Sequence, residues 1–199
     1  MASTRNWKDG EIAFLKGVDQ FNHTEYRSLI ASGYMREATT QHPVIVLEHS
    51  SDYQHYLITT VSAYGSSREN SYLAPWRQAC HRRKCRESFR AFFGSEKPSE
   101  EHDYLWLEPG QQFPKPKTSW VYIRLCFVVP ASTLTRFDKT PTQLRVTQES
   151  LKALLRDMRK LRGFDKRWTD PRHFRLFKLK HGDHPALGKA VETVPSTNH

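Results

Sequence analysis

The chain has 199 residues, 37% of them hydrophobic and 26% charged, with a formal net charge of +10. That length suits one domain with its own core, and the positive balance points to polyanionic partners, nucleic acid before anionic membrane surfaces. Three cysteines (Cys80, Cys85, Cys126), no apolar leader in MASTRNWKDG and no bilayer-length apolar stretch argue against a secreted disulfide scaffold or a membrane protein; a reducing intracellular location, cytoplasm or nucleus, is expected.

Residues 1–9 are polar. GEIAFLKGV (10–18) reads as a first strand, with Ile12, Phe14 and Val18 as core positions. Residues 19–41 read as a long loop with one helical turn. A second strand spans 43–48 (PVIVLE), where a proline is tolerated because the first strand residue need not donate to a ladder. YLITTVSAY (56–64) is a third strand, rich in β-branched and aromatic residues. Its alternation sets Leu57, Thr59, Val61 and Ala63 against Tyr56, Ile58, Thr60, Ser62 and Tyr64.

Residues 65–118 carry no strand pattern and form an insertion. Within it PWRQACHRRKCRESFRAFFG reads as a helix starting at Pro75 and stopped by Gly94, followed by surface loops. SWVYIRLCFVVP (119–130) alternates along its whole length. Val121, Ile123, Leu125, Phe127 and Val129 take one side, and Trp120, Tyr122, Arg124, Cys126 and Val128 the other. TQESLKALLRDMRKLRG is an amphipathic helix with a stripe of Leu151, Leu154, Leu155, Met158 and Leu161, capped by Thr147 and stopped by Gly163. From 164 the chain is a basic C-terminal extension, partly disordered, with no apolar periodicity from Gly182 onward. Strands followed by a helix indicate an α+β class, most simply a small β-barrel packed by a C-terminal amphipathic helix. The domain is expected over 1–163, with a helical insertion at about 65–118 and the extension over 164–199.

Charge is concentrated. Residues 151–180 hold eleven Lys/Arg against three Asp, and CHRRKCR is a second cluster. Aromatic residues interleave with both. Cations neutralise phosphates and aromatic rings stack on unpaired bases, so RNA is favoured over DNA. The candidate contacts are Arg82, Arg83, Lys84 and Arg86 in the cluster, a platform of Trp120, Tyr122 and Arg124, and Lys166, Arg167, Arg172 and Arg175 in the extension. For the charge clusters the competing reading is a plain solvated face or an import signal at HRRKCR; for Trp120, Tyr122 and Arg124 it is packing, as cover for the barrel's second side or under the helix. Cys80, His81 and Cys85 lack a fourth neighbouring ligand, so no metal is expected. P-loop, GxGxxG, GxSxG and HExxH patterns are absent from the sequence, and no cofactor is expected.

Three short motifs resemble the MazF/PemK-like family. GEIAFL matches its G-x-I/V first-strand start, HPVIVL (42–47) its R-P-V-V-V-L strand, and TVSA (60–63) the end of its next strand. The likeness has motif content over about 10–70 and extends over 119–162 in the order of elements. It implies an SH3-like barrel with a terminal helix, metal-independent endoribonuclease activity, a homodimer, and a protein inhibitor of the antitoxin kind. It places His42 at the family's catalytic arginine and Ser62 at its catalytic threonine. The second change keeps a hydroxyl; the first exchanges a fixed guanidinium for an imidazole. RNA cleavage without metal uses the neighbouring 2′-hydroxyl and needs a base, an acid and donors at the phosphorus. Histidine serves the first two roles near neutral pH, Ser62 can donate to a phosphate oxygen, and Arg68 can supply charge. The alternatives on the same barrel are a nucleic-acid-binding module without catalysis and a protein-interaction module that holds a peptide.

Overall fold

Strands form where β-branched and aromatic residues run uninterrupted. In the computed structural model, which describes residues 5–170, these are β1 (Ile12–Leu15), β2 (Pro43–His49), β3 (His55–Ser62), β4 (Phe89–Ala91), β5 (Trp120–Tyr122), β6 (Phe127–Pro130) and β7 (Leu134–Arg136). The two α-helices among the described residues are α1 (His23–Tyr26) and α2 (Gln148–Arg159), so the class is α+β. The strands make one antiparallel sheet in the order β4-β5-β3-β2-β1-β7, with β6 along the first half of β3 and β5 at its end. Beyond β4, single bridges join Phe92 to Leu105, Leu107 to Val146, and Arg145 to Glu11 beside β1.

The central strands are apolar on both sides because both sides are covered. Ile45, Leu47, Leu57 and Val61 face a core completed by α2 through Leu151, Leu154 and Met158. Val44, Val46, Tyr56 and Ile58 face a second core closed by Trp7, Leu29 and Met35. The alternation expected for β3 holds, with Leu57 and Val61 in the first core and Tyr56 and Ile58 in the second. In β1 both sides are used: Ile12 and Phe14 serve the first core, Ala13 and Leu15 the second. Val18 lies outside the strand, in a 3-10 turn (Val18–Gln20). The 19–41 segment contains α1, closed by an Asn22–Glu25 capping box, and a following π turn (Arg27–Ala31).

Two expectations are corrected. The 119–130 run is not one strand. A turn at Ile123–Arg124, closed by Leu125 N–H to the Tyr122 carbonyl at 3.0 Å, shifts the alternation by one residue. Cys126 and Val128 therefore join Val121 and Ile123, while Leu125, Phe127 and Val129 pass to the opposite core. The insertion is not α-helical. It makes 3-10 turns at Pro75–Arg77, Ala79–His81 and Arg86–Ser88, then extends as β4 against β5. Three consecutive cations, Arg82 to Lys84, crowd what would be one helical turn, and Phe89 and Ala91 gain burial only as strand residues.

Helix α2 forms behind the expected cap but ends at Arg159, with Lys160 as its C-cap, short of the expected stop at Gly163. Thr147 Oγ1 accepts the Ser150 N–H, and Leu151, Leu154 and Met158 are buried with Leu155 and Leu161 packed alongside. Packing continues past Gly163: Phe164 and Trp168 are buried, and Trp168 Nε1–H donates to Glu48 at 2.8 Å. Among the described residues no helix is long and apolar enough to cross a membrane.

Candidate functional site

The start of β2 and the end of β3 meet at one mouth. Val44 pairs with Thr60, and the same register continued two residues brings His42 opposite Ser62. Both line a cavity of about 310 Å³ with Phe14, Tyr64, Phe113 and Phe137. His42 is fixed from two directions. Its carbonyl accepts the Leu15 N–H at 3.0 Å, and its Nδ1 lies 2.7 Å from the Thr40 carbonyl. That carbonyl can only accept, so Nδ1 carries a hydrogen, and in the neutral imidazole Nε2 then presents the lone pair. Ser62 Oγ accepts the Tyr64 N–H at 3.2 Å, which leaves its own hydrogen to be donated.

Backbone conformation is unusual around this mouth. Five non-glycine residues among those described have positive φ: Gln41, Tyr53, Tyr64, Ser71 and Tyr72. Gln41 and Tyr64 flank His42 and Ser62 and line the cavity. Such conformations cost energy and persist where the surroundings over-determine them, often at binding and catalytic sites.

Lys115 and Lys139 bring the cavity's charge; among the described residues no carboxylate lines it. Lys115 belongs to a proline-rich loop held from below. Ser95 Oγ donates to the Pro116 carbonyl and accepts the Ser119 N–H, both at 2.9 Å. Gly94, at φ +97°, passes so close that a Cβ would meet the Pro116 oxygen at 3.0 Å. Neither lysine is singled out by the sequence, where they sit in loops without periodicity.

Arg68 does not join His42 and Ser62. It is exposed on a 3-10 turn (Arg68–Asn70) and lines an adjoining cavity of about 400 Å³, which shares Pro114, Lys115 and Thr118 with the first.

The basic cluster lies next to the same mouth. Lys84 Nζ stands 4.4 Å over the Tyr64 ring and 5.3 Å from Tyr122, and Arg86 stands 5.7 Å over Trp76. Burial, with the Arg36 charge nearby, pushes the Lys84 ammonium below its ordinary value. Arg82 and Arg83 are exposed. The expected platform is corrected in part. Trp120 is fully buried, packed edge-on against Trp76, with its Nε1–H donated to the Glu96 carbonyl, and offers no surface for a base. Tyr122 is half-buried beside Phe89, and Arg124 is exposed with Nε donating to Ser88 Oγ at 2.9 Å. Among the described residues, the exposed rings that the sequence did not single out are Phe93 and Trp106, stacked at 4.4 Å, with Tyr26 and Tyr72.

Lys166 is exposed and Arg167 half-buried, in the segment that follows α2. Arg172 and Arg175 lie outside the described residues. Cys80 and Cys85 are free and exposed; burial pushes the Cys126 thiol up to about 11. Among the described residues no group of three or more His, Cys, Asp or Glu is placed to hold a metal. Comparison with protein-family models, curated proteins and solved structures yields no match.

Proposed function

We propose that this protein acts on single-stranded RNA, with the His42–Ser62 cavity as a metal-independent cleavage site. The observation that carries the reading is local. Two side chains twenty residues apart in sequence, a base and a hydroxyl, share one cavity whose charged lining among the described residues is cationic. A phosphodiester brought there meets no carboxylate repulsion and two lysines.

The chemistry uses the substrate's own nucleophile. His42 Nε2 takes the proton of a 2′-hydroxyl, O2′ bonds to the adjacent phosphorus, and the P–O5′ bond breaks. The departing O5′ takes a proton from the imidazolium so formed or from a lysine ammonium. Ser62 donates to a non-bridging oxygen, and Lys115 and Lys139 offset the charge that grows there. The products are a 2′,3′-cyclic phosphate and a 5′-hydroxyl. Lys84, Arg86 and Tyr122, next to the mouth, extend the binding surface.

The MazF/PemK-like resemblance supports the same reading, and so does the route of the bridges. They lead from β4 through 105–107 and 145–146 back to β1, the path an SH3-like barrel would close along. A non-catalytic binding module is the second reading, favoured by the cation–aromatic contacts of Lys84 and Arg86, which supply affinity without chemistry.

End-labelled single-stranded RNA incubated in EDTA tests the proposal. Cleavage to cyclic-phosphate ends is expected, and His42→Ala should abolish it, because loss of the acid–base group costs on the order of a hundredfold or more. Undiminished cutting by both His42→Ala and Ser62→Ala removes this site. Salt-sensitive binding with no cutting by the wild type establishes the binding module instead.

A further inference from the structure

We infer that the cavity adjoining the His42–Ser62 mouth is a second nucleotide subsite, one that holds the phosphate and base of the neighbouring nucleotide in the same strand. The inference rests on the RNA reading above and extends it, because it makes the substrate a strand that spans two sites.

Three observations place a phosphate there. Among the described residues Arg68, Lys115 and Lys117 line this cavity and no carboxylate does; Glu69, the next residue in the same turn, is not part of the wall. Ser66 also lines it. Ser66 is 6% exposed, and its hydroxyl is buried with no hydrogen-bond partner among the described residues, although its backbone N–H is satisfied by the Ala63 carbonyl. A buried hydroxyl left unpaired is costly, and rotation about its χ1 would let it donate to an oxygen bound between the three cations. Lys115 stands in both walls, so one strand can pass from one site to the other without leaving cationic surroundings.

A base fits the rest of the cavity. Tyr72, 38% exposed, offers an aromatic surface at the rim, with Lys117 Nζ 5.1 Å from its ring. Ser71 and Tyr72 are consecutive non-glycine residues at φ 55° and 59°, so the chain holds this tyrosine at the rim in a conformation that few residues adopt. Stacking needs a base free of its partner strand, so the subsite selects single strands. An arginine presents a planar fork to phosphate where a lysine presents a point charge, so Arg68 orients the phosphate and Lys117 adds charge.

The test is binding of 2′-fluoro oligonucleotides, which lack the nucleophile, one to four nucleotides long, followed by fluorescence anisotropy at several salt concentrations. Wild-type affinity is expected to rise from one nucleotide to two or three. Arg68→Ala and Lys117→Ala, exposed changes that leave the core intact, are each expected to lower affinity for the longer strands roughly tenfold, the usual scale of a lost charged hydrogen bond. Each should also reduce the salt slope by about 0.7. Ser66→Ala should weaken binding with the salt slope unchanged. His42→Ala, inert in cleavage, should keep the length dependence. If the wild type binds the longer strands and both cation variants bind them equally well with the same salt slope, the subsite is refuted while the RNA reading stands. If the wild type binds no oligonucleotide of any length, both fall.

Discussion

His42 and Trp120 show what one residue's surroundings decide. His42 precedes a proline at a strand's mouth, and its Nδ1 is bound to the Thr40 carbonyl, which leaves Nε2 as the ring nitrogen for a ligand. Trp120 reads in sequence as a ring on the free side of a strand, yet that side is filled by Trp76 and Phe89. The alternation of 119–122 correctly separates Trp120 from Val121. Period-two patterning says which residues share a side; it does not say whether something distant covers that side. Trp120→Ala is therefore expected to cost about 3–5 kcal/mol in urea unfolding, as a buried large-to-small change does. Lys84→Ala, which removes a cation over Tyr64, should leave the unfolding midpoint nearly in place and weaken RNA binding in the anisotropy assay.

At the scale of elements, one buried ion pair ties the insertion directly to the C-terminal helix. Arg90 of β4 donates from Nε to Asp157 of α2 at 2.7 Å, and its NH2 group makes a second contact with the same oxygen. Nothing in CRESFRAFF marks Arg90 as different from the surface arginines around it. Only the pairing of β4 with β5, which turns Arg90 inward, brings it to the helix. Burial by itself would raise the Asp157 carboxyl, but the Arg90 hydrogen bond and charge outweigh it and hold that group below the usual carboxylate range. The stabilisation is complete above the carboxyl's unfolded value and is lost as pH falls through its lower folded value. Asp157→Asn should flatten the acid limb of a stability-against-pH curve. Asp157→Ala, which strands a buried guanidinium, should cost about 3–5 kcal/mol at neutral pH. Joint replacement of Arg90 and Asp157 by apolar residues should cost much less than that, measured by chemical denaturation.

At the scale of the molecule, the charge of +10 is unevenly used. Two adjoining cavities take Arg68, Lys115, Lys117 and Lys139, and the Lys84 group lies beside them. The basic residues after α2 have a second role in the fold, because Phe164 and Trp168 among them are core residues. A chain ended at Gly163 should unfold at markedly lower urea than the full chain, and Trp168→Ala should reproduce most of that loss, about 3–5 kcal/mol. Loss of RNA binding in that shortened chain would report unfolding as well as charge, so charge is better tested by point substitution.

By itself the sequence determined the elements whose residues carry their own periodicity: β1 to β3, α2 and its cap, and the apolar stripes that face the two cores. His42 and Ser62 stand out in the sequence only through the MazF/PemK-like resemblance; the β2–β3 register of the folded chain is what sets them at one mouth. Tertiary structure alone decided the rest. It turned the 119–130 run at Ile123, buried Trp120 and Arg90, set Arg68 in the neighbouring cavity, and brought Lys115 and Lys139 to the mouth. The physical reason is common to all of these: burial, charge environment and cavity walls come from residues far apart in the chain. Local spacing constrains a side chain's direction, and only the packed neighbours determine what it meets.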